Sequence, residues 1–278
     1  MSWLDSYTHR ALAEAALVGC LCGAVGLHVV LRRMSFFAMA MTHATFPGVA
    51  VAAVLGLNIY LGGAVAGLLA CMGVLALSRR PDQGATTATG AMLATGFALG
   101  VAVLSAADGF SRNLEAFMTG SLITVTDKEL VTTTGVFALV VLLLTAFHKE
   151  LLHGAFDREG QRAAGYPVAG LDLLLLLLVE AVIVVTAPAI GVMLTMALLV
   201  GPTAIARLWT DRVGTTVFLS VFTGTASCAL GLAISTHWNL AAGGTVTLVI
   251  ATGFLISLPL SPLRSSWRSH GRTPSPTG

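Results

Sequence analysis

Long apolar runs recur from one end of this chain to the other, and they leave it few folds to adopt. A helix needs about 20 apolar residues, at about 1.5 Å each, to cross the roughly 30 Å hydrocarbon core of a bilayer. Runs of that kind occupy Leu12–Leu31, Phe36–Leu57, Leu61–Leu77, Ala88–Ala107 and Leu130–Phe147. Four more follow at Leu171–Ala187, Gly191–Leu208, Val213–Ser235 and Ala241–Leu260. The stretch from Leu171 to Ala206 would make about 54 Å of helix, too long for one crossing. We divide it at Ala187–Pro188, because proline cannot continue the i−4 hydrogen-bond ladder. A soluble core is excluded. The chain is 56% hydrophobic with mean hydropathy +0.87, and only 10% is charged, against about 25% in a soluble domain. The expected fold class is all-α: a polytopic membrane protein of about nine spans. Its membrane body covers 1–260, and a disordered tail rich in Ser, Pro and Arg covers 261–278.

Lysine and arginine set the expected orientation, since they gather on the cytoplasmic side. An N-terminus outside places Arg32, Arg33, Arg79, Arg80, Lys149, Arg158, Arg162, Arg207, Arg212, Arg264, Arg268 and Arg272 inside. Arg10, Arg112 and Lys128 then lie outside, and the C-terminus is cytoplasmic. The first span is expected to stay in the mature protein: acidic Asp5 and Glu14 precede it and Arg32-Arg33 follow, the reverse of a signal peptide's charge order. The four cysteines (Cys20, Cys22, Cys71, Cys228) all fall within spans and read as small buried hydrophobes. Cys20 and Cys22 are two apart, which points them away from one another on a helix and makes them a poor metal pair.

Several chemistries are missing. The only lysines are Lys128 and Lys149, and neither follows a glycine-rich phosphate loop, so ATP, if used, must bind another polypeptide. There is no nucleophile–base or His-Glu-x-x-His constellation for an intramembrane hydrolase, and no basic stripe for nucleic acid.

The polar residues inside the spans therefore carry the functional argument. His43 lies roughly seven residues into the second span, where an imidazole is costly unless it faces a polar cavity or a ligand. Glu180 sits in the most apolar stretch of the chain, where a carboxylate faces the bundle interior or holds a proton. Met39 is one turn before His43, and Pro47 and Pro202 permit helix bends. His28, near the end of span one, and His237 beside Trp238 read as interfacial residues. Gly62-Gly63-x-x-x-Gly67 and Gly96-x-x-x-Gly100 have the small-residue spacing that lets membrane helices approach closely.

Three segments resemble one family. Arg33-Met34-Ser35-Phe36-Phe37 followed by His43, Gly191–Arg207 with Pro202, and Asn239–Thr245 are similar to the permease subunits of ATP-driven zinc and manganese importers. Between spans, Phe156-Asp157-Arg158-Glu159 with Gly165 resembles that family's coupling helix, and Phe117–Thr126 resembles an external stretch whose role is open. The resemblance implies a type II importer membrane domain working as a homodimer, with a pore on its two-fold axis. It also implies an ATPase partner docked at Phe156, Asp157, Glu159 and Gly165, and an extracytoplasmic metal-binding protein. No cofactor is expected to be held permanently; the metal is cargo, and ATP belongs to the partner.

One position departs from the family. Its second span carries an Asp four residues before the His, and here that residue is Met39. Three readings of His43 stay open: a soft site with the Met39 thioether, a transient ligand completed by Glu180 from another helix, or a buried imidazole bonded to a carbonyl. A site rich in imidazole and poor in carboxylate leans towards zinc, with manganese or iron as alternatives. A proton-coupled carrier using Glu180 as relay is the alternative from another class.

Overall fold

The computed structural model describes residues 2–78, 84–106, 126–238 and 240–270, and every regular element among them is a helix. In chain order these are α1 (Ser2–Leu31), α2 (Ser35–Ala44), α3 (Phe46–Val54), α4 (Ile59–Ser78), α5 (Ala85–Ser105), α6 (Asp127–Ala146), α7 (His148–Phe156), α8 (Arg158–Ala163), α9 (Val168–Ile190), α10 (Val192–Trp209), α11 (Val213–Trp238) and α12 (Ala242–His270). Among the described residues nine stretches are long and apolar enough to cross a membrane, with α2 and α3 together making one of them. The nine expected spans are thus present. α12 continues past Ser261, the expected start of the tail, and 271–278 lie outside the described residues. So do Asn239 and the expected external stretch up to Val125.

Thr126, the last residue of that stretch, opens α6 through a capping box. Its amide donates to Glu129 Oε2 at 2.7 Å while its hydroxyl accepts from the Glu129 amide at 3.4 Å.

The division between the sixth and seventh spans is displaced from the expected one. Pro188 lies inside α9, and the chain turns instead at Gly191, whose φ of 89° is open to glycine at little cost. Proline near the end of a helix forfeits one ladder bond and need not end the helix. The left-handed residue is what reverses the chain.

α9 and α1 run through the interior. Leu175, Val179, Val182 and Ile183 of α9 and Val18, Leu21, Cys22 and Val25 of α1 are almost fully buried in one core. Leu61, Val65 and Leu69 of α4, Leu99 of α5 and Leu139 and Leu142 of α6 are exposed, the pattern of helices that meet hydrocarbon. Close helix approaches replace hydrophobic drive inside a bilayer. A Cβ at Gly23 would stand 2.8 Å from the Val221 backbone, and one at Gly26 2.4 Å from the Leu199 carbonyl, which locks α1 against α11 and α10.

Two acidic or basic residues read as flanking span one are interior. Glu14 is fully buried and accepts a hydrogen bond from Thr133 Oγ1 at 2.7 Å. His28, expected at headgroup level, is 3% exposed with Nδ1 unpartnered. All four cysteines are free; Cys20 is half-buried and the other three are buried.

Candidate functional site

The second span crosses as two half-helices. α2 stops at Ala44 and α3 starts at Phe46, with Thr45 between them. The sequence dictates the break, because Pro47 has no N–H to offer the His43 carbonyl four residues back. Two hydroxyls compete with the ladder as well: Thr42 Oγ1 donates to the Met39 carbonyl at 2.7 Å and Thr45 Oγ1 to the Met41 carbonyl at 3.0 Å. His43 therefore occupies the last turn of α2, at the end of the helix where the carbonyls carry partial negative charge. Interrupted membrane helices with free carbonyls near a polar side chain are how transporters build weak cation sites.

His43 is half-buried, and its ring stands edge-on to Phe97 of α5 with centroids 5.5 Å apart and planes at 87°. Phe97 also stacks on Phe46 at 6.2 Å, just past the break. Glycines from both small-residue motifs hold this region. A Cβ at Gly96 would stand 2.6 Å from Ala44 Cα, one at Gly100 would stand 2.2 Å from the Phe46 ring, and one at Gly62 would stand 2.3 Å from the Gly48 carbonyl. The motifs were legible as packing signals. Their shared target, the break beside His43, was not.

Met39 is half-buried one turn before His43, as its spacing predicts. Glu180 is on α9, and its carboxylate rests over Gly67 of α4. Within a single chain His43 and Glu180 thus meet different helices, and among the described residues no three His, Cys, Asp or Glu side chains converge. Pro202 lies inside α10, and Thr223 Oγ1 of α11, which donates to the Leu219 carbonyl of its own helix at 2.7 Å, stands 3.4 Å from the Pro202 carbonyl oxygen.

At the other end of α2 lies a second polar centre. α1 closes with Arg33 at φ 56°, the one non-glycine residue in the left-handed region among those described. The Met34 amide donates to the Val29 carbonyl at 2.8 Å and the Arg33 amide to Val30 at 3.1 Å, the paired bonds of a Schellman ending. Glycine would hold that conformation more cheaply. Arg33→Gly is expected to stabilise the fold by about 1 kcal/mol or less, read as a raised unfolding temperature in detergent. A fall instead would mean that the exposed guanidinium makes a needed contact.

Arg32 beside it carries the connections. Its Nη1 meets Asp172 Oδ1 at 2.6 Å, its Nη2 donates to the Leu151 carbonyl at 3.1 Å, and the second Asp172 oxygen takes Arg158. Burial lowers the Arg32 guanidinium from its ordinary pKa and Asp172 opposes that, so the group remains charged. Asp172 lies just past the first turn of α9, Leu151 on α7 and Arg158 on α8. One carboxylate thus joins the launch point of α2 to the α7–α8 segment.

That segment holds the expected coupling residues. Phe156 ends α7 and is 68% exposed. Asp157 caps α8 by accepting from the Gly160 amide at 2.8 Å, Glu159 is exposed, and Gly165 with φ 82° turns the chain towards α9. Gln161, buried behind them, donates to the Glu150 carbonyl at 2.7 Å and fixes the two short helices together. Sequence reasoning missed Arg32 and Asp172 as a pair, because they lie 140 residues apart.

Comparison with known proteins converges on one family. A profile of the ABC 3 transport family matches residues 5–261. The manganese transport system membrane protein MntC of Halalkalibacterium halodurans is 30% identical over 267 residues, 95% of this chain and 91% of that one. The manganese import system permease protein ScaB of Streptococcus gordonii is 33% identical over 256 residues, 92% of each. In three dimensions the chain resembles PsaBC from Streptococcus pneumoniae, solved with a Fab, at a TM-score of 0.82, 35% identity and 90% of each chain covered. With that match over residues 5–261 and relatives of at least 30% identity over nine-tenths of its length, the chain belongs to the ABC 3 transport family, as a membrane-spanning permease of a metal ABC importer.

Proposed function

We propose that this permease imports manganese(II) across a bacterial cytoplasmic membrane, with its N-terminus outside and its C-terminus inside. The observation that carries the reading is His43 at the interrupted end of α2. An imidazole, a nearby Met39 and the carbonyls of a helix end make a site that binds a divalent ion weakly enough to release it. The names of the MntC and ScaB relatives, both for manganese transport, favour manganese over the zinc expected from an imidazole without an adjacent carboxylate. Zinc remains the second reading, because imidazole and thioether are the softer donors.

In this scheme two copies of the chain form the pore between them, and an extracytoplasmic binding protein delivers the ion. ATP is hydrolysed on separate subunits that dock at Phe156, Asp157, Glu159 and Gly165. The exposed Phe156 ring supplies the apolar anchor, and the Arg32–Asp172–Arg158 contacts pass movement of α7 and α8 to α2. Pro47 and Pro202 give the spans their bending points.

Uptake of manganese(II) into vesicles holding this chain with its ATPase and binding protein tests the reading. Uptake should require ATP, be inhibited by competing zinc, and fall at least tenfold with His43→Ala. Uptake that ignores ATP and follows a proton gradient would replace the importer with a secondary carrier. ATP-dependent uptake undiminished in the variant would move the path away from His43.

A further inference from the structure

A cavity of about 250 Å³ opens where α2 begins, lined from α4, α5, α8 and α9 as well. Three guanidiniums line it, Arg32, Arg33 and Arg158, against the single carboxylate of Asp172. Arginine is the side chain that matches phosphate oxygens two at a time. Asp172 leaves donors over among the described residues. Arg32 Nε is buried without a partner, Arg158 reaches Asp172 through Nη2 alone, and the exposed Arg33 has no acceptor. Most of the remaining lining is apolar, with Phe36 40% exposed and Leu75 half-buried. Depth in the membrane joins the two characters. The spans stop at Leu31 and Leu77 and start again at Ser35, Thr86 and Val168, so the cavity lies where the chain leaves hydrocarbon for the headgroups. Basic pockets between spans at that level, on the face where arginine gathers, suit the headgroups of anionic lipids. The surplus positive charge repels a divalent cation, and a soluble anion would leave Phe36 bare.

We propose that this cavity binds the headgroup phosphate of an anionic phospholipid, with Arg33 and Arg158 as its clamps and an acyl chain laid over Phe36 and Leu75. Arg32, tied to Asp172 and to the Leu151 carbonyl, adds fixed positive charge. Because Arg158 belongs to α8, a bound phosphate also bears on the segment expected to meet the ATPase. Binding is a property of the chain alone. It needs no metal, no ATP and neither partner, and so stands apart from the import reading.

The test is lipid binding by the full-length chain in a neutral detergent, read by native mass spectrometry and by the unfolding temperature. Dioleoyl phosphatidylglycerol is added in one arm and dioleoyl phosphatidylcholine in the other. Phosphatidylglycerol should bind at least tenfold more tightly and raise the unfolding temperature. Arg33→Gly combined with Arg158→Ala, neither of which is expected to harm the fold, should weaken that binding at least tenfold. Size-exclusion profiles show whether the variant is folded. Arg212→Ala removes an exposed arginine outside the cavity and should leave binding unchanged. An equal loss there would mean diffuse attraction to basic residues and overturn the proposal. Equal binding of the two lipids would overturn it too, as would phosphatidylglycerol binding that survives the double variant. Inorganic phosphate that competes as well as the lipid would make this a site for a soluble anion instead. Lipid released when the ATPase subunit docks would assign the cavity to that subunit, and either result overturns the proposal.

Discussion

Asp172→Ala is expected to uncouple ATP hydrolysis from transport: manganese uptake falls at least tenfold while hydrolysis by the docked ATPase persists. The substitution removes the one group that accepts Arg32 from the turn after α1 and Arg158 from α8 at once. Breaking a fully buried pair by deleting one partner costs about 3–5 kcal/mol, because the other charge is stranded. Here the side chains keep 9% and 17% exposure, which puts the loss towards the lower end of that range. Arg158 is 57% exposed, and an exposed pair contributes roughly 0–1 kcal/mol. Arg158→Ala should therefore leave the unfolding temperature almost unchanged and still lower the number of ions moved per ATP. That separation of stability from coupling distinguishes a transmitting contact from a merely structural one. Arg32→Lys should resemble Asp172→Ala in uptake, since an ammonium cannot span Asp172 and the Leu151 carbonyl as the guanidinium fork does. Unimpaired coupling in all three variants would sink the idea.

The contrast between spans and contacts explains what could be read beforehand. Span number followed from composition because bilayer thickness fixes the length of every crossing. The turn between α9 and α10 was misplaced by three residues because Pro188 was weighed above Gly191, although the left-handed position is the one that reverses the chain. Arg32 and Asp172 are 140 residues apart, and Arg32 alone looked like ordinary charge on the cytoplasmic side. Pairing across that separation is decided by helix packing, on which local sequence is silent. His43 was legible as a costly residue, and Pro47 four residues on explains its helix end. What Glu180 rests on depended on Gly67 of a different helix, so its immediate surroundings were not legible at all.

The same glycines set up the second large effect. Gly48→Ala is expected to destabilise the protein by about 3 kcal/mol, or to prevent folded protein from accumulating. Its Cβ would stand 2.1 Å from the Gly62 carbonyl oxygen and 2.6 Å from Ala66 Cβ, both far inside van der Waals contact. Neither obstacle can rotate aside, since one is backbone and the other a methyl without rotamers. α3 must then move away from α4, and small-residue crossings are what hold membrane helices together. α3 follows directly on the break at Thr45, so the displacement also reaches His43. Gly135→Ala in α6 is the matched control, because a Cβ there meets nothing within 4 Å. It should shift stability by no more than about 1 kcal/mol, in the stabilising direction that alanine gives a helix. Thermal unfolding of the two variants in the same detergent decides the matter. If both unfold at the wild-type temperature, α3 and α4 are not held by the Gly48–Gly62 crossing, and the geometry around His43 must be supported from α5 alone.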